Sequence, residues 1–559
     1  MKKFLLAALL AVTVFASGVF AANVEDALTS APEQSVYMVL KLDDTQNLLK
    51  WIFSKEHIDT FMPLILASEE SNEILGAVEM ISAFAENTPL KSAALLVGVY
   101  SEEKSPVPFF KMAFTVKDDA APFVKKIADG TAEAVDIAKL VMGKDNPMAS
   151  LAESMIKVEK GEDNILQIDN EVFLKAQDGM IIAGLSADDV KNSLKALEDE
   201  SGRLFTKKTR RFAPKDFAWI HADPEVAKAL DEDNDLDLEE VKKYVAKPLD
   251  VEYSFMRVPG KFLLSMATNI KEALTKEYLE KSGLNRDIPN VKGGWLNLAN
   301  AGTKAPLLAF GGFLNIAGLK ATDEGKDIWK ELAKAAKNTL NISEDDLTKL
   351  LTGALSLAVN DSVSIEGIKV PAVYVSQTSE PGTAEKVFGI LEKSPHFHKV
   401  SDGVLQIDSS VSPVPCLVTR NGDTLGINLA ELANVAKNPE LKPALKELTE
   451  TEASSAVWLD FAAIQSWILN PENGVLTLLE PIARFSGQGE IFDAVKDVLN
   501  AKFSVPSMSI HSDSFEVIHT EFQIDEEVKA EDGIMVQLVK AGKKFMDLAK
   551  TEDKPEESK

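Results

Sequence analysis

Apolar and polar residues alternate along much of this chain, and one short alternating stretch occurs twice. Ile165-Leu166-Gln167-Ile168-Asp169 returns as Val404-Leu405-Gln406-Ile407-Asp408, the pattern of a half-buried strand with one face in and one face out. A turn pair follows each copy, Asp178-Gly179 in the first and Asn421-Gly422 in the second, and such pairs are the strongest short-range hairpin signal a sequence carries. Gln167 aligns with Gln406 at a shift of 239 residues, and Trp219 aligns with Trp458 at the same shift. One offset at two separated anchors argues for an internal duplication. Upstream, Val107-Pro108-Phe109 matches Val370-Pro371-Ala372 at 263, and downstream Phe262 matches Phe515 at 253. Identity is low, so the match rests on pattern.

In the first copy the pattern predicts strands at Val36–Leu40, Ala93–Tyr100, Phe109–Val116 and Phe217–His221, with a meander at 165–168, 172–176 and 180–183. Helical spacing covers 44–53, 58–85 and 120–128, and Ser186-Ala187-Asp188-Asp189 has the spacing that opens a helix to about Leu197. A hairpin around Pro259-Gly260 closes the copy. The second copy repeats that order: strands at 307–316, 355–359, 372–376, 404–407, 424–428, 456–459, 507–511 and 515–524, with helices at 326–339, 344–351, after Pro381, and at Glu431–Lys437. Strands joined by tight hairpins pair antiparallel. The expected fold is therefore α+β: two tandem related domains, each an antiparallel, meander-containing sheet with helices packed on one face. The boundaries read as a signal peptide at 1–21, copy one at 22–280, a linker with Gly283, Pro289, Gly293 and Gly294 at 281–294, copy two at 295–549, and a charged, disordered tail at 550–559.

The first residues fix an address. Met1-Lys2-Lys3, the apolar run Phe4–Phe15 and the small residues up to Ala21 form the three-part pattern of a secretory signal peptide, with no cysteine at the cleavage site for a lipid. A periplasmic or secreted bacterial protein is expected, with no membrane span once the signal is removed. The single cysteine, Cys416, leaves stability to the cores alone. The formal net charge is −27. Such a surface repels nucleic acid, which is excluded as a partner, and anionic membrane at long range.

Candidate chemistry is sparse. Asp231 to Asp237 resembles a calcium loop but has Leu236 where the turn needs glycine and Lys242 where a bidentate glutamate is needed, so it reads as an acidic helix start. His396-Phe397-His398 offers two imidazoles without a companion motif and reads as surface histidines. Cys416 has no evident base beside it and reads as a small hydrophobe. No phosphate loop, dinucleotide fingerprint or Gly-x-Ser-x-Gly is present. No catalytic residue, metal or cofactor is therefore assigned.

The copies diverge in three places, one of them a lengthening of copy two by 14 residues between Trp458 and Phe515, around Leu476–Leu499. Copy one carries 24 extra residues around Gly130–Ile156, a methionine-rich amphipathic stretch that either adds core or forms an adaptable lid over an apolar ligand, with Leu140, Met142, Met148 and Met155 as contacts. It also carries a basic loop, Lys207, Lys208, Arg210, Arg211 and Lys215, where copy two has Thr449-Glu450-Thr451-Glu452. Lys207, Lys208, Arg210 and Arg211 are candidate contacts to an anion or partner, against the plainer reading of a solvated loop. The expected function is that of a non-catalytic binding or scaffold protein of the envelope, with a hydrophobic or lipid-like small molecule or another envelope protein as partner. The alternative is a periplasmic hydrolase whose acids and bases meet only in three dimensions.

Overall fold

A computed structural model describes residues 24–528 except 33, 44–89, 103–104, 143–155, 208–209, 213–215, 225, 227–242, 283–289, 293–295, 299–300, 315, 321, 366–367, 411, 413, 436 and 515. The helices expected at 44–53 and 58–85, the calcium-like loop, the signal, most of the linker and the charged tail lie outside the described residues. The chain divides into two compact units, residues 1–256 with 266–273, and residues 257–265 with 274–559. Each is mixed α and β with antiparallel pairing.

Unit 1 is built on β1 (Ser35–Leu42), β2 (Leu90–Glu102), β3 (Ser105–Val116), β4 (Val158–Lys160), β5 (Leu166–Ile168), β6 (Val172–Gln177), β7 (Met180–Gly184), β8 (Asp216–Ala222) and β9 (Leu249–Val258), while of β10 (Lys261–Thr268) the residues from Lys261 to Ser265 belong to unit 2. A single rung crosses the sheet from Trp219 through Val39, Leu96, Lys111, Gly184 and Phe173 to Gln167, and ends on Glu159 of the outermost described strand, β4. On the other side Trp219 faces Glu252 of β9.

Unit 2 uses β11 (Val291–Lys292), β12 (Leu308–Phe313), β13 (Ala354–Ile365), β14 (Ile368–Thr378), β15 (Phe397–Ser401), β16 (Val404–Ile407), β17 (Cys416–Asn421), β18 (Thr424–Leu429), β19 (Glu452–Ala453), β20 (Ser455–Asp460), β21 (Ser507–Ser514) and β22 (Val517–Gln523). Its corresponding rung runs from Trp458 through Ala309, Ala358, Tyr374, Asn428 and Leu417 to Gln406, and ends on His398 of β15. Beyond Trp458 the rung reaches Ser509 of β21. The two sequence anchors thus sit at the same two places on rungs of the same strand order. Lys111 and Tyr374 are 263 residues apart, the offset that the Val-Pro match gave upstream. Among the described residues, unit 2 has in addition the small ribbon of β11 and β19.

The first hairpin turn is as expected, and the second is displaced by one residue. In unit 1 the central pair is Asp178-Gly179, both at positive φ (52° and 80°), as a type I′ turn requires. In unit 2 Asn421 still pairs with Thr424, so the central pair is Gly422-Asp423, and only Gly422 has a positive φ, 57°. Glycine leading the loop is the pattern of a type II′ turn.

Helices cover both faces of each sheet, not one. In unit 1, α1 (Ala121–Ala128) and α2 (Ala134–Met142) pack Val124, Ile127, Ile137 and Leu140 on Leu95, Phe110, Met112 and Leu166. On the opposite face, α3 (Ala187–Glu198) brings Val190 to Val39, Leu96, Phe217 and Trp219. The reason is visible in Ala93-Ala94-Leu95-Leu96, all buried: a continuous apolar run buries both faces of a strand, whereas alternation buries one. In unit 2, α4 (Asp323–Leu340), α5 (Glu344–Leu350) and α6 (Thr383–Glu392) cover Leu405, Val418 and Leu425. There α7 (Pro443–Glu450) covers the other face, placing Leu445 and Leu448 against Ala309, Tyr374 and Trp458, and α8 (Phe461–Leu469) follows β20.

Capping at Ser186 is as expected, its Oγ accepting the Asp189 amide at 3.0 Å. The helix expected at Glu431–Lys437 is absent. That segment makes a turn, Asn434 N donating to Glu431 O, and is then held by a bridge between Val435 and Ala301. Tertiary contact overrides propensity there.

Candidate functional site

The residues expected to contact a ligand in the lengthened segment of copy one do not come together as a described site. Leu140 is 1% exposed and belongs to the core under α2, so it packs the sheet rather than lining an opening. Met142 ends α2, and Met148 and Met155 lie outside the described residues. The basic loop has a local partner. Glu252 of β9 is buried, and it accepts the Arg211 and Phe212 amides at 2.8 and 3.3 Å and the Arg210 Nε at 3.4 Å. The Arg210 guanidinium stacks 3.7 Å from the centre of the Phe217 ring. Lys207 ends a short helix, Leu204–Lys207, and Lys208 lies outside the described residues. Unit 2 has Ser509 at the rung position of Glu252, so no buried carboxylate stands there to be paired with an arginine.

A second contrast lies at the middle of the rung. In unit 1 the buried Lys111 Nζ bonds Thr29 Oγ1 and stands 3.8 Å from Asp189 Oδ1 of α3, while Asp189 Oδ2 accepts from Ser186 Oγ at 2.8 Å. Burial pushes the Lys111 ammonium below its ordinary pKa, partly offset by Asp189. Gly184 admits the helix: a Cβ there would lie 2.7 Å from the Asp189 Cβ. Unit 2 has Asn428 in place of Gly184, and β18 is followed by the turn at Glu431 to Asn434 where β7 is followed by α3. What remains is a polar cavity of about 20 Å³ lined by Asn297, Tyr374, Ser376, Thr419 and Asn428, with Asn428 Nδ2 donating to Thr419 Oγ1 at 3.0 Å. That volume holds about one water molecule. Ligand sites run to several hundred Å³, so this cavity is too small for a metabolite.

The histidine pair read from the sequence separates. His398 Nε2 lies 2.6 Å from Asp408 Oδ2, and hydrogen bonds from Ser410 and His398 hold the Asp408 carboxyl well below the usual carboxylate range. His396 lies outside β15, and its backbone carbonyl accepts the Asp408 amide. Cys416 is half-buried at the start of β17, and burial raises its thiol pKa, opposite to what a nucleophile needs.

Two features escaped the sequence reading. The first is a group on the outer hairpin of unit 2, where His511, Asp513 and His519 converge. The second is a pair of helices, α9 (Val475–Phe485) and α10 (Gly489–Asn500), in the stretch by which copy two is lengthened. On α9 Leu478, Ile482 and Phe485 form a stripe at helical spacing, Ile482 being 64% and Phe485 97% exposed, and Leu479 is exposed beside them. Ile491 and Val495 on α10 are exposed too. Arg484 ties the helices together, reaching Glu480 at 2.8 Å and Asp493 at 3.2 Å. Among the described residues no helix is long and apolar enough to cross a membrane.

Comparison with protein-family models, with curated proteins and with solved structures gives no match.

Proposed function

We propose that this chain is an exported, non-catalytic binding or scaffold protein of the bacterial envelope, formed by tandem duplication of one α+β domain, and that α9 and α10 are its docking surface for an apolar segment of another envelope protein. The duplication is supported by the two rungs, which have one strand order and place Trp219 with Trp458 and Gln167 with Gln406. The export reading rests on the signal pattern of the first 21 residues. The observation that carries the docking surface is the exposed stripe Leu478, Ile482 and Phe485. Large apolar side chains grouped on one helix face mark a contact surface. A helix face is convex, whereas small-molecule sites are concave, which favours a protein partner over a free lipid. The net charge of −27 works against an anionic membrane as the occupant.

The test places a photo-crosslinking phenylalanine analogue at position 485 in the chain made in its own host, and at Lys326 on the exposed face of α4 as a control. The expected result is one protein adduct from position 485, none from 326, and loss of the adduct on Ile482→Asp. Affinity for the purified adduct partner should fall at least tenfold in the same variant, since one buried aliphatic anchor contributes about 1.5–3 kcal/mol. No adduct, equal adducts at both positions, or adducts to lipid alone would discard the surface.

A further inference from the structure

The outer hairpin of unit 2 holds a group that the docking surface does not use. His511 on β21 and His519 on β22 are directly opposed, with their rings stacked at 4.8 Å and 24°. The ladder then slips: Ser512 pairs with Ile518 and Ser514 with Val517, so Asp513 is the extra residue of a β-bulge. Bulges re-aim a side chain, and here the Asp513 Oδ2 stands 3.3 Å from His519 Nε2. Local bonds pin the bulge. Ser512 Oγ donates to Ser514 O at 2.5 Å, Ser454 N donates to Ser512 O at 2.6 Å, and Ser514 Oγ accepts the Glu516 amide at 3.1 Å. The second nitrogen of His519, Nδ1, lies 2.7 Å from Ser265 Oγ. One donor atom from each of His511, Asp513 and His519 lies within 4.8 Å of the others.

We propose that His511, Asp513 and His519 form a three-ligand site for a divalent transition-metal ion of the zinc class, with Ser265 holding the His519 imidazole in its ligating orientation. Ligands about 2.0–2.1 Å from a tetrahedral ion stand roughly 3.3 Å from one another, the separation already present between Asp513 and His519. Ligating imidazoles characteristically engage a neighbour through the other ring nitrogen, as His519 engages Ser265. Two imidazoles and one carboxylate suit zinc, cobalt or nickel; calcium and magnesium require oxygen donors, and copper(I) prefers sulfur. Three protein ligands leave a position for water, so the ion would exchange rather than staple the fold. Among the described residues unit 1 has no counterpart of the site, because the rung that carries His511 opposite Ala456 carries Ser254 opposite Phe217 there.

The test uses the full chain without a polyhistidine tag, titrated calorimetrically with zinc chloride and followed with cobalt chloride by visible absorption. One ion per chain and cobalt bands of nitrogen and oxygen coordination are expected. His519→Ala and Asp513→Asn should each weaken binding more than about 100-fold, and Ser265→Ala about 10–100-fold, the range for a residue that orients a ligand. His398→Ala, on an exposed histidine of the same unit, should leave binding unchanged. Circular dichroism of each variant separates lost ligation from lost folding, and the bulge variant Asp513→Asn keeps the side-chain size if an alanine variant misfolds. Binding only at millimolar ion, binding that survives in folded His519→Ala and Asp513→Asn, or binding lost in His398→Ala would overturn the site.

Discussion

At the centre of one rung unit 1 places Lys111 and Gly184, and unit 2 places Tyr374 and Asn428. The backbone register is the same on either side of these positions, yet the layer above them differs. Gly184 lets α3 bring Asp189 toward Lys111, so that face is closed by a helix and an ion pair. Asn428 keeps its amide over the strand and bonds Thr419 beside a water-sized polar cavity. The lesson is that strand order and register tolerate replacement of both members of a central pair, provided each buried polar atom finds some partner. Architecture resides in the apolar rung positions, and local function in what is laid over them.

The largest test of that comparison concerns the tryptophans that anchor both rungs. Trp458→Ala should remove about 3–5 kcal/mol from the stability of unit 2, and Trp219→Ala a similar amount from unit 1. Hydrogen exchange of peptides from the affected unit measures each loss. A near-neutral result at either tryptophan would mean that the two rungs are not equivalent in energy, whatever their geometry.

A smaller effect is expected where the units differ by a buried charge. Glu252→Gln leaves Arg210 against Phe217 without its counter-charge and should cost about 3 kcal/mol, while Ser509→Ala at the matching position should cost much less. Equal costs in urea unfolding would show that Glu252 does not organise the basic loop.

The smallest effect at neutral pH concerns Lys111. Its folded pKa lies below the ordinary 10.5, so between the folded value and 10.5 the unfolded chain binds more protons, and stability rises with pH across that window. Lys111→Met should change stability little at pH 7 and should flatten the alkaline rise measured in urea titrations at stepped pH. A rise that persists in the variant would assign it to another group.

Much of the framework was legible because it depends on period and turn chemistry, which are local. The echo at Gln167 and Gln406, the tryptophans and the Val-Pro offset of 263 all fall on the observed rungs, and Ser186 caps its helix. Burial on both faces was missed although Ala93-Ala94-Leu95-Leu96 carries the signal, because alternation elsewhere drew the sheet as one-sided. The turn at 431–435 resisted because its bridge partner, Ala301, is remote in sequence. The candidate site was least legible. Arg210 and Glu252 are 42 residues apart, and Ser265 and His519 are 254 apart. Asp513 reaches His519 only because a bulge turns it, and nothing in the residues themselves announces that bulge.

The outer strands β4 and β15 carry a final consequence. Each ends the described ladder of its unit with a run that is mostly exposed and charged, Glu159 and Lys160 in one and His398 and Lys399 in the other. An unpaired strand edge is a template on which a second chain can grow fibre-like assemblies, and charged side chains on a short edge strand discourage that growth. Crowded at high concentration, this chain should stay dispersed as long as those four residues keep their charge or polarity, and replacing them with valine would make the edges of the sheets sticky.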